Sequence, residues 1–205
     1  MEQTIILRKF EERDIDFIFR CKNDASLNSM IVRASNTFSY DDAVKWVHGC
    51  MQDNPNFIFW AVCTNDEEQR IVGWVSLSQI DHENRSACHH GIVIGDKYYR
   101  EGTAMFEAML LSMDYAFAHL QLHRLYGSCM AEHKVSPHML NALGFTLEGK
   151  QRDAVYRNGR YYDILIYAML SNEYTALKDK AAFDIDQLIV GFVSSIKESK
   201  KKLSL

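Results

Sequence analysis

The sequence predicts an α+β fold, and three observations carry that prediction. Between residues 57 and 94, three β-rich runs are joined by short polar turns, the pattern of an antiparallel meander. A glycine-bearing loop then leads into a long helical stretch, followed by a strand, a short helix and another strand. Near the end, Asn158-Gly159 separates two strand-like runs, and Asn-Gly favours the type I′ turn of a tight hairpin.

Taken in order, residues 4–8 cluster β-branched and apolar side chains and read as a strand. Ile15, Ile18 and Phe19 recur at helical spacing within residues 11–22. Ser39 is placed to cap a helix with Asp41 and Asp42 in its first turn and Val44, Val47 and Met51 on one face, ended by Asn54-Pro55-Asn56. Strands are expected at 57–63, 71–77 and 87–94, with polar turns at 65–69 and 81–85. The segment GDKYYREG (95–102) reads as a loop. A helix over 103–120 follows, with Met105, Met109, Met113 and Phe117 as a core stripe. Residues 123–130 form a strand; Ser136-Pro137 supplies an N-cap and first helical residue for a helix to Leu143, and Gly144 closes it. Residues 145–147 return to strand, and 150–157 with 160–170 make the hairpin. Residues 1–170 are therefore expected to form one domain, and 171–205 a helical extension ending in Lys200-Lys201-Lys202.

Composition excludes several roles. The 205 residues carry 23 basic and 27 acidic side chains, a net charge of −4. That balance gives no global attraction to nucleic acid. No apolar run approaches the ~20 residues of a membrane span, and Ile5-Ile6-Leu7 is too short for a signal peptide. The five cysteines are widely spaced without a C-x-x-C pair, as expected of reduced, mostly buried thiols in a cytoplasmic protein. No histidine or cysteine group has metal-ligand spacing, so no metal is expected.

The chemistry concentrates around residues 95–104. A loop that feeds a helix N-terminus offers unpaired backbone N–H groups and the positive end of the helix dipole, which suit a phosphate or pyrophosphate. Gly102 allows close approach, Ala104 leaves the helix start uncrowded, and Arg100 adds a charged donor. Neither a Walker A loop nor a dinucleotide-binding G-x-G-x-x-G is present. A connector with a glycine turn is the other reading.

Tyr99-Arg100-Glu101-Gly102-Thr103-Ala104 resembles the Gln/Arg-x-x-Gly-x-Gly/Ala acyl-CoA loop of the GCN5-related N-acetyltransferases (GNAT), with Tyr99 where Gln or Arg is usual. Glu132-His133-Lys134-Val135-Ser136, followed by Leu143-Gly144-Phe145 and Glu148-Gly149, resembles a segment of the ribosomal-protein N-terminal acetyltransferase (RimJ/RimL-like) branch, a pattern that spermidine and amino-sugar N-acetyltransferases share. The order of elements agrees over roughly residues 4–170.

The resemblance implies the GNAT fold: a mixed central sheet in which two neighbouring parallel strands, 87–94 and 123–130, splay to admit acetyl-CoA. It places the pyrophosphate on amides of Arg100, Glu101, Gly102, Thr103 and Ala104 beside Tyr99, and the pantetheine along Ile92, Val93 and Ile94. The implied reaction is direct attack of a primary amine on the thioester, without an acyl-enzyme. The carbonyl oxygen is polarised by a backbone N–H. An alkylamine of pKa ~10 is almost wholly protonated at neutral pH, so a base must take a proton. His89 falls at the position where many members place a glutamate, with His90 in reserve should the strand be bulged. Ser136 is the expected donor near the thiolate, Leu140 stands where a tyrosine is usual, and His133 replaces the asparagine that contacts pantetheine. Tyr156, Tyr161, Tyr162 and Tyr167, with Asp163, line an acceptor pocket or pack across strands. The acceptor implied is an amine-bearing small molecule or a peptide N-terminus: a protein N-terminus, a polyamine or an amino sugar. A second copy of the chain, as a homodimer, is the one protein partner considered. A non-catalytic coenzyme-binding module of the same fold is the alternative reading.

Overall fold

Alternating apolar residues in the meander build the middle of a seven-stranded sheet, ordered β1-β2-β3-β4-β5-β7-β6. The computed structural model describes residues 3–29, 31, 37–100 and 102–202. Strands β1 (Ile5–Arg8), β2 (Phe57–Thr64), β3 (Ile71–Asp81) and β4 (Ser86–Ile94) pair antiparallel in succession. β4 lies parallel to β5 (Arg124–Met130), which is antiparallel to β7 (Arg160–Leu170); β6 (Thr146–Arg157) completes the sheet along the other edge of β7. The Asn-Gly turn behaves as expected, with φ of +48° at Asn158 and +80° at Gly159.

The period of two divides the apolar residues cleanly. Ala61, Cys63, Trp74 and Val93 face one side, against helices α1 (Ile15–Asn23) and α3 (Tyr40–Met51). Val62, Val75, Ile92 and Ile94 face the other, against Ala104 and Ala108 of α5 (Ala104–Asp114). A short α2 (Ala25–Asn28) follows α1. Ser39 caps α3 reciprocally, its Oγ accepting the Asp42 N–H at 3.1 Å while the Asp42 carboxylate accepts the Ser39 N–H at 3.0 Å.

Several boundaries differ from expectation. The predicted loop 95–102 contains a helical turn, α4 (Lys97–Arg100), because the Asp96 carboxylate accepts the Tyr98 N–H at 2.9 Å and starts it. The helix predicted over 103–120 is α5 followed by a widened π-type turn at Tyr115–His119, where the Leu120 N–H reaches Tyr115 O at 2.9 Å. Met109 and Met113 are in the core as expected, and Met105 is half-buried against it. Helix α6 (Ser136–Ala142) takes Val135, not Ser136, as its N-cap. The two short strands expected at 145–147 and 150–157 are one long, bulged strand, β6. The last segment carries two helices. Tyr174 of α7 (Ser171–Asp179) stacks on Phe117 at 4.6 Å, and Phe192 of α8 (Ile185–Lys202) meets Phe106 edge-on at 5.6 Å. All five cysteines are free; Cys21, Cys50, Cys63 and Cys129 are buried, and burial pushes the Cys50 thiol up to about 12.

One buried carboxylate joins the first strand to the central helix. Glu107 is 4 % exposed. It accepts from the Thr4 N–H (2.7 Å), Thr4 Oγ1 (2.7 Å), the Ile5 N–H (3.2 Å) and the Thr103 hydroxyl. Removing it strands the N–H of the buried Ile5 and unpairs the N–H and hydroxyl of Thr4 at the β1 start. Glu107→Ala is expected to lower stability by about 2–4 kcal/mol, with Glu107→Gln retaining part of it, as read by urea denaturation; a loss below about 0.5 kcal/mol in the alanine variant contradicts this account.

Candidate active site

The site begins where β4 and β5 part. They share only three parallel pairs, Ser86 with Arg124, Ala87 with Leu125 and Cys88 with Tyr126. Gly127 comes next, and a Cβ there would lie 2.9 Å from His89 O, so a side chain would force the strands apart one step early. Beyond this point each strand is paired on its outer edge only, β4 with β3 and β5 with β7. The gap between them is a V-shaped groove with main-chain donors and acceptors along its walls.

β4 carries a bulge at the head of this groove. Leu77 of β3 pairs with His89 and Val75 with Ile92, so His90 and Gly91 together oppose Ser76. Gly91 has φ +79°, a conformation that favours glycine. The extra residue puts both His89 and Ile92 on the α5 side and leaves His90 and Gly91 sharing one position on the opposite face. His90 is exposed there.

His89, the expected base, turns away from the groove. It is 6 % exposed. Its Nδ1 accepts the Gly91 N–H at 3.1 Å, which leaves the proton on Nε2, and Nε2–H donates to Ser112 Oγ at 2.9 Å. Ser112 passes the chain on to Met109 O at 2.9 Å. Burial, and secondarily the neighbouring His90, pushes the His89 pKa down to about 4. Both ring nitrogens are committed to holding the bulge, a geometry that suits a positioning residue and not a base. Gly91 in a strand run is the sequence signal for the bulge; Ser112, 23 residues away, has none.

Along β4 the main chain alternates its polar groups between the two edges. The Gly95 N–H reaches Val72 O on β3 at 2.9 Å, so Val93 also directs its main chain to β3, while Ile92 and Ile94 turn theirs toward the groove. Of the three residues expected along the pantetheine, Ile92 and Ile94 are therefore suitably placed and Val93 is not. Arg100 was expected to offer a charged donor to phosphate. Its Nε and Nη2 instead donate to Ile94 O (3.0 Å) and Gly95 O (2.7 Å), the nearest carbonyls, and tie the loop to the strand end.

The amide cradle is also narrower than expected. The Arg100 and Gly102 N–H groups are used in turns, bonding Asp96 O at 3.0 Å and Tyr99 O at 3.3 Å. Glu101 lies outside the described residues. Donors remain on the first turn of α5, at Ala104 and the residues after it, which have no intrahelical carbonyl. The space before them is open: a Cβ on Gly102 would meet nothing nearer than Tyr99 O at 3.8 Å. Thr103 commits its hydroxyl to Glu107. Tyr99 is half-buried against the α5 side of the sheet, with the Arg70 guanidinium 5.9 Å from its ring.

Across the groove, His133 caps α6. Its Nδ1 accepts the N–H groups of Val135 (3.2 Å) and Ser136 (3.0 Å), so its proton is on Nε2. Burial lowers its pKa. It is Ser136's amide, and not its hydroxyl, that takes part in the cap. Leu140 packs against the α5-side core. The tyrosines of the hairpin are not brought together: Tyr167 is 2 % exposed in the core, while Tyr156 and Tyr161 pack on each other at 4.9 Å near the tip. Asp163 is paired with Lys150 Nζ at 2.6 Å, which holds its carboxyl below the usual range. Among the described residues no group of histidine, cysteine or acidic side chains could hold a metal ion, and no helix is long and apolar enough to cross a membrane.

A splayed parallel pair, a bulge at its head and an open helix N-terminus beside it define an acyl-CoA-dependent acyltransferase. The sequence profile of the acetyltransferase (GNAT) domain matches residues 4–146, and the chain belongs to that family. It is 26 % identical over 174 residues to a spermidine N(1)-acetyltransferase of Vibrio cholerae, covering 85 % of this chain and 97 % of that protein. It is 29 % identical over 109 residues to the [ribosomal protein uS5]-alanine N-acetyltransferase of Escherichia coli, covering 53 % of this chain and 56 % of that one. The crystal structure of spermidine N-acetyltransferase from Vibrio cholerae in complex with CoA and spermine superimposes with a TM-score of 0.74 at 26 % identity, over 84 % of this chain and 98 % of that chain. The protein is an N-acetyltransferase that uses acetyl-CoA.

The neutral, buried His89 makes stability pH-dependent. Its folded pKa, about 4, lies below the usual 6.5, so the unfolded chain binds the proton more readily between those values. The neutral ring's contribution is complete above about pH 6.5 and is lost as pH falls toward 4, amounting to about 3 kcal/mol. Unfolding free energy measured from pH 7 to pH 4 is expected to drop more steeply in the wild type than in His89→Asn; equal slopes would remove the assignment.

Proposed function

We propose that the protein acetylates a primary alkylamine of the polyamine class by direct attack in a ternary complex. The observation that supports this reading is the parting of β4 from β5, with the first-turn amides of α5 on one face of the gap and the exposed His90 on the other. The spermidine N(1)-acetyltransferase similarity supports the acceptor class because it runs along nearly the whole chain, whereas the ribosomal-protein acetyltransferase similarity covers about half. A peptide N-terminus is the second reading, favoured by the residues from Glu132 to Gly149 that resemble the RimJ/RimL-like branch.

The residues present fit acetyl-CoA, which when bound supplies an acetyl group activated as a thioester. The first-turn amides of α5, from Ala104, are the anion donors beside Gly102 and Thr103. Main-chain groups of Ile92 and Ile94 orient an extended amide-bearing chain, and His133 presents Nε2–H to an amide carbonyl from the α6 side. A main-chain N–H of the bulge polarises the reacting carbonyl oxygen. His90, exposed at the bulge on the acceptor face, takes the amine's proton directly or through one water. The Ser136 hydroxyl, at the start of α6, donates to the leaving sulfur as the new C–N bond replaces C–S.

Free-thiol release from acetyl-CoA is expected with spermidine and related linear amines. His90→Ala is expected to lower kcat/KM by about 10²-fold or more while the rise in melting temperature on adding coenzyme A is unchanged. Wild-type turnover in that variant removes His90 from the role. Release of no thiol with any amine, together with a coenzyme-induced rise in melting temperature, would instead identify a binding module.

A further inference from the structure

The groove has two walls at its C-terminal end, and one side chain joins them. The β4 wall is backed by α1, which α2 follows. Contact there is close: a Cβ on Gly95 would sit 2.3 Å from Cys21 Sγ and 2.7 Å from Phe17 Cζ. The β5 wall is extended by the β6–β7 hairpin. β5 ends its pairing with β7 at Met130 and Ile164, the Ala131 N–H still bonds Asp163 O at 2.9 Å, and the hairpin runs on beyond to Asn158-Gly159. At its tip stands Arg157. Its Nη1 donates to Ser29 O and Ile31 O, each at 2.9 Å, and its Nη2 to Asn28 O at 2.8 Å.

Both ends of this strap are built to hold. The guanidinium meets carbonyls at the C-terminal end of α2, where the last turn leaves acceptors without intrahelical donors. The corner beneath them is locked by Asn28, which is 9 % exposed and donates through Nδ2 to Cys21 O (3.1 Å), Lys22 O (2.7 Å) and Asp24 O (2.8 Å). On the other side the two-residue type I′ turn fixes the hairpin, with Arg157 paired opposite Arg160. The fork shape of guanidinium matters, since one planar group reaches three carbonyls that a lysine ammonium cannot span in the same way. α1 and α2 lie on the α3 face of the sheet, so the strap crosses the groove on the face opposite α5.

We infer that Arg157 is a specificity-determining residue, which closes the acceptor mouth into a passage for slender linear amines and keeps peptide N-termini out. The inference rests on the acceptor-side reading above and deepens it. A peptide N-terminus brings a substituted Cα and a branching carbonyl within two bonds of the attacking nitrogen. A polyamine brings only methylenes, and it threads under a bridge that a peptide must displace.

The test has two arms. In the first, free-thiol release is compared for spermidine and for a tetrapeptide with a free N-terminus in wild type, Arg157→Ala and Arg157→Lys. Both variants are expected to raise the peptide-to-spermidine ratio of kcat/KM by tenfold or more, while the coenzyme A-induced rise in melting temperature stays at its wild-type value. The second arm needs no turnover. Ser128 is exposed on β5 beyond the last pair with β4, and alternation puts it on the acceptor face. In Ser128→Cys, a methyl methanethiosulfonate is expected to label faster than a bulky nitroxide analogue by at least tenfold more than with a small free thiol, and adding Arg157→Ala is expected to abolish that excess, with the Ser128 parent as background. An unchanged labelling ratio overturns the strap, as does an unchanged turnover ratio in an active enzyme. Absence of turnover with every amine overturns the acetylation reading instead, and the labelling arm still decides the strap.

Discussion

The parting of β4 from β5 is the constraint on which the molecule's chemistry depends. β5 keeps seven antiparallel pairs with β7 but only three parallel pairs with β4. A sheet interior normally satisfies every main-chain donor and acceptor, because an unpaired buried group costs about as much as a lost hydrogen bond. Here a line of such groups is left facing a groove. That is tolerable only if solvent or an extended ligand fills it, and an extended acyl-pantetheine chain carries amides at strand-like intervals. The defect in the sheet is thus what makes a binding site for a strand-like ligand.

Polar side chains far apart in sequence keep that defect in place. His89 and Ser112 hold the bulge from below, and Arg100 ties the end of β4 to the turn of α4. Glu107 fastens the first turn of α5 to the start of β1, and His133 caps α6 on the far wall. Each commits hydrogen-bonding capacity to holding the backbone near the groove. Preorganisation of this kind removes reorganisation from the reacting step, where aligned donors are worth most.

Much of the fold was legible in the sequence because its signals are local. The Ser39 N-cap, the Asn158-Gly159 turn and the short polar turns of the meander each act within a few residues, and each appears in the structure as read. The departures share one physical cause, which is competition from partners that a linear reading does not bring together. The family resemblance put His89 at the base position with His90 in reserve for a bulge, and the extra residue at Gly91 does turn His89 to the α5 face and His90 to the other, as a one-residue slip must. Arg100 looked like a phosphate ligand, but Ile94 O and Gly95 O were nearer. Ser136 looked like a cap, but the helix starts one residue earlier, from Val135, and the imidazole of His133 takes the amides of Val135 and Ser136. Glu107, Ser112 and Arg157 carried no sequence signal, since the partners that give them their roles lie between 23 and 129 residues away.

The division of the sheet into two faces explains why a single groove can serve two reactants. On the α5 face, the helix N-terminus and its open amides offer positive potential, which suits a diphosphate. On the α3 face, the bulge exposes His90, and the approach is bounded by α2 and the hairpin. On the proposed reading, an amine arriving from that side would meet the carbonyl along the line of the gap without passing the coenzyme, and the two reactants would use separate entrances. The direct transfer proposed above needs such an arrangement, in which the acyl group would pass between partners held on opposite sides of one gap with no nucleophilic side chain to carry it across.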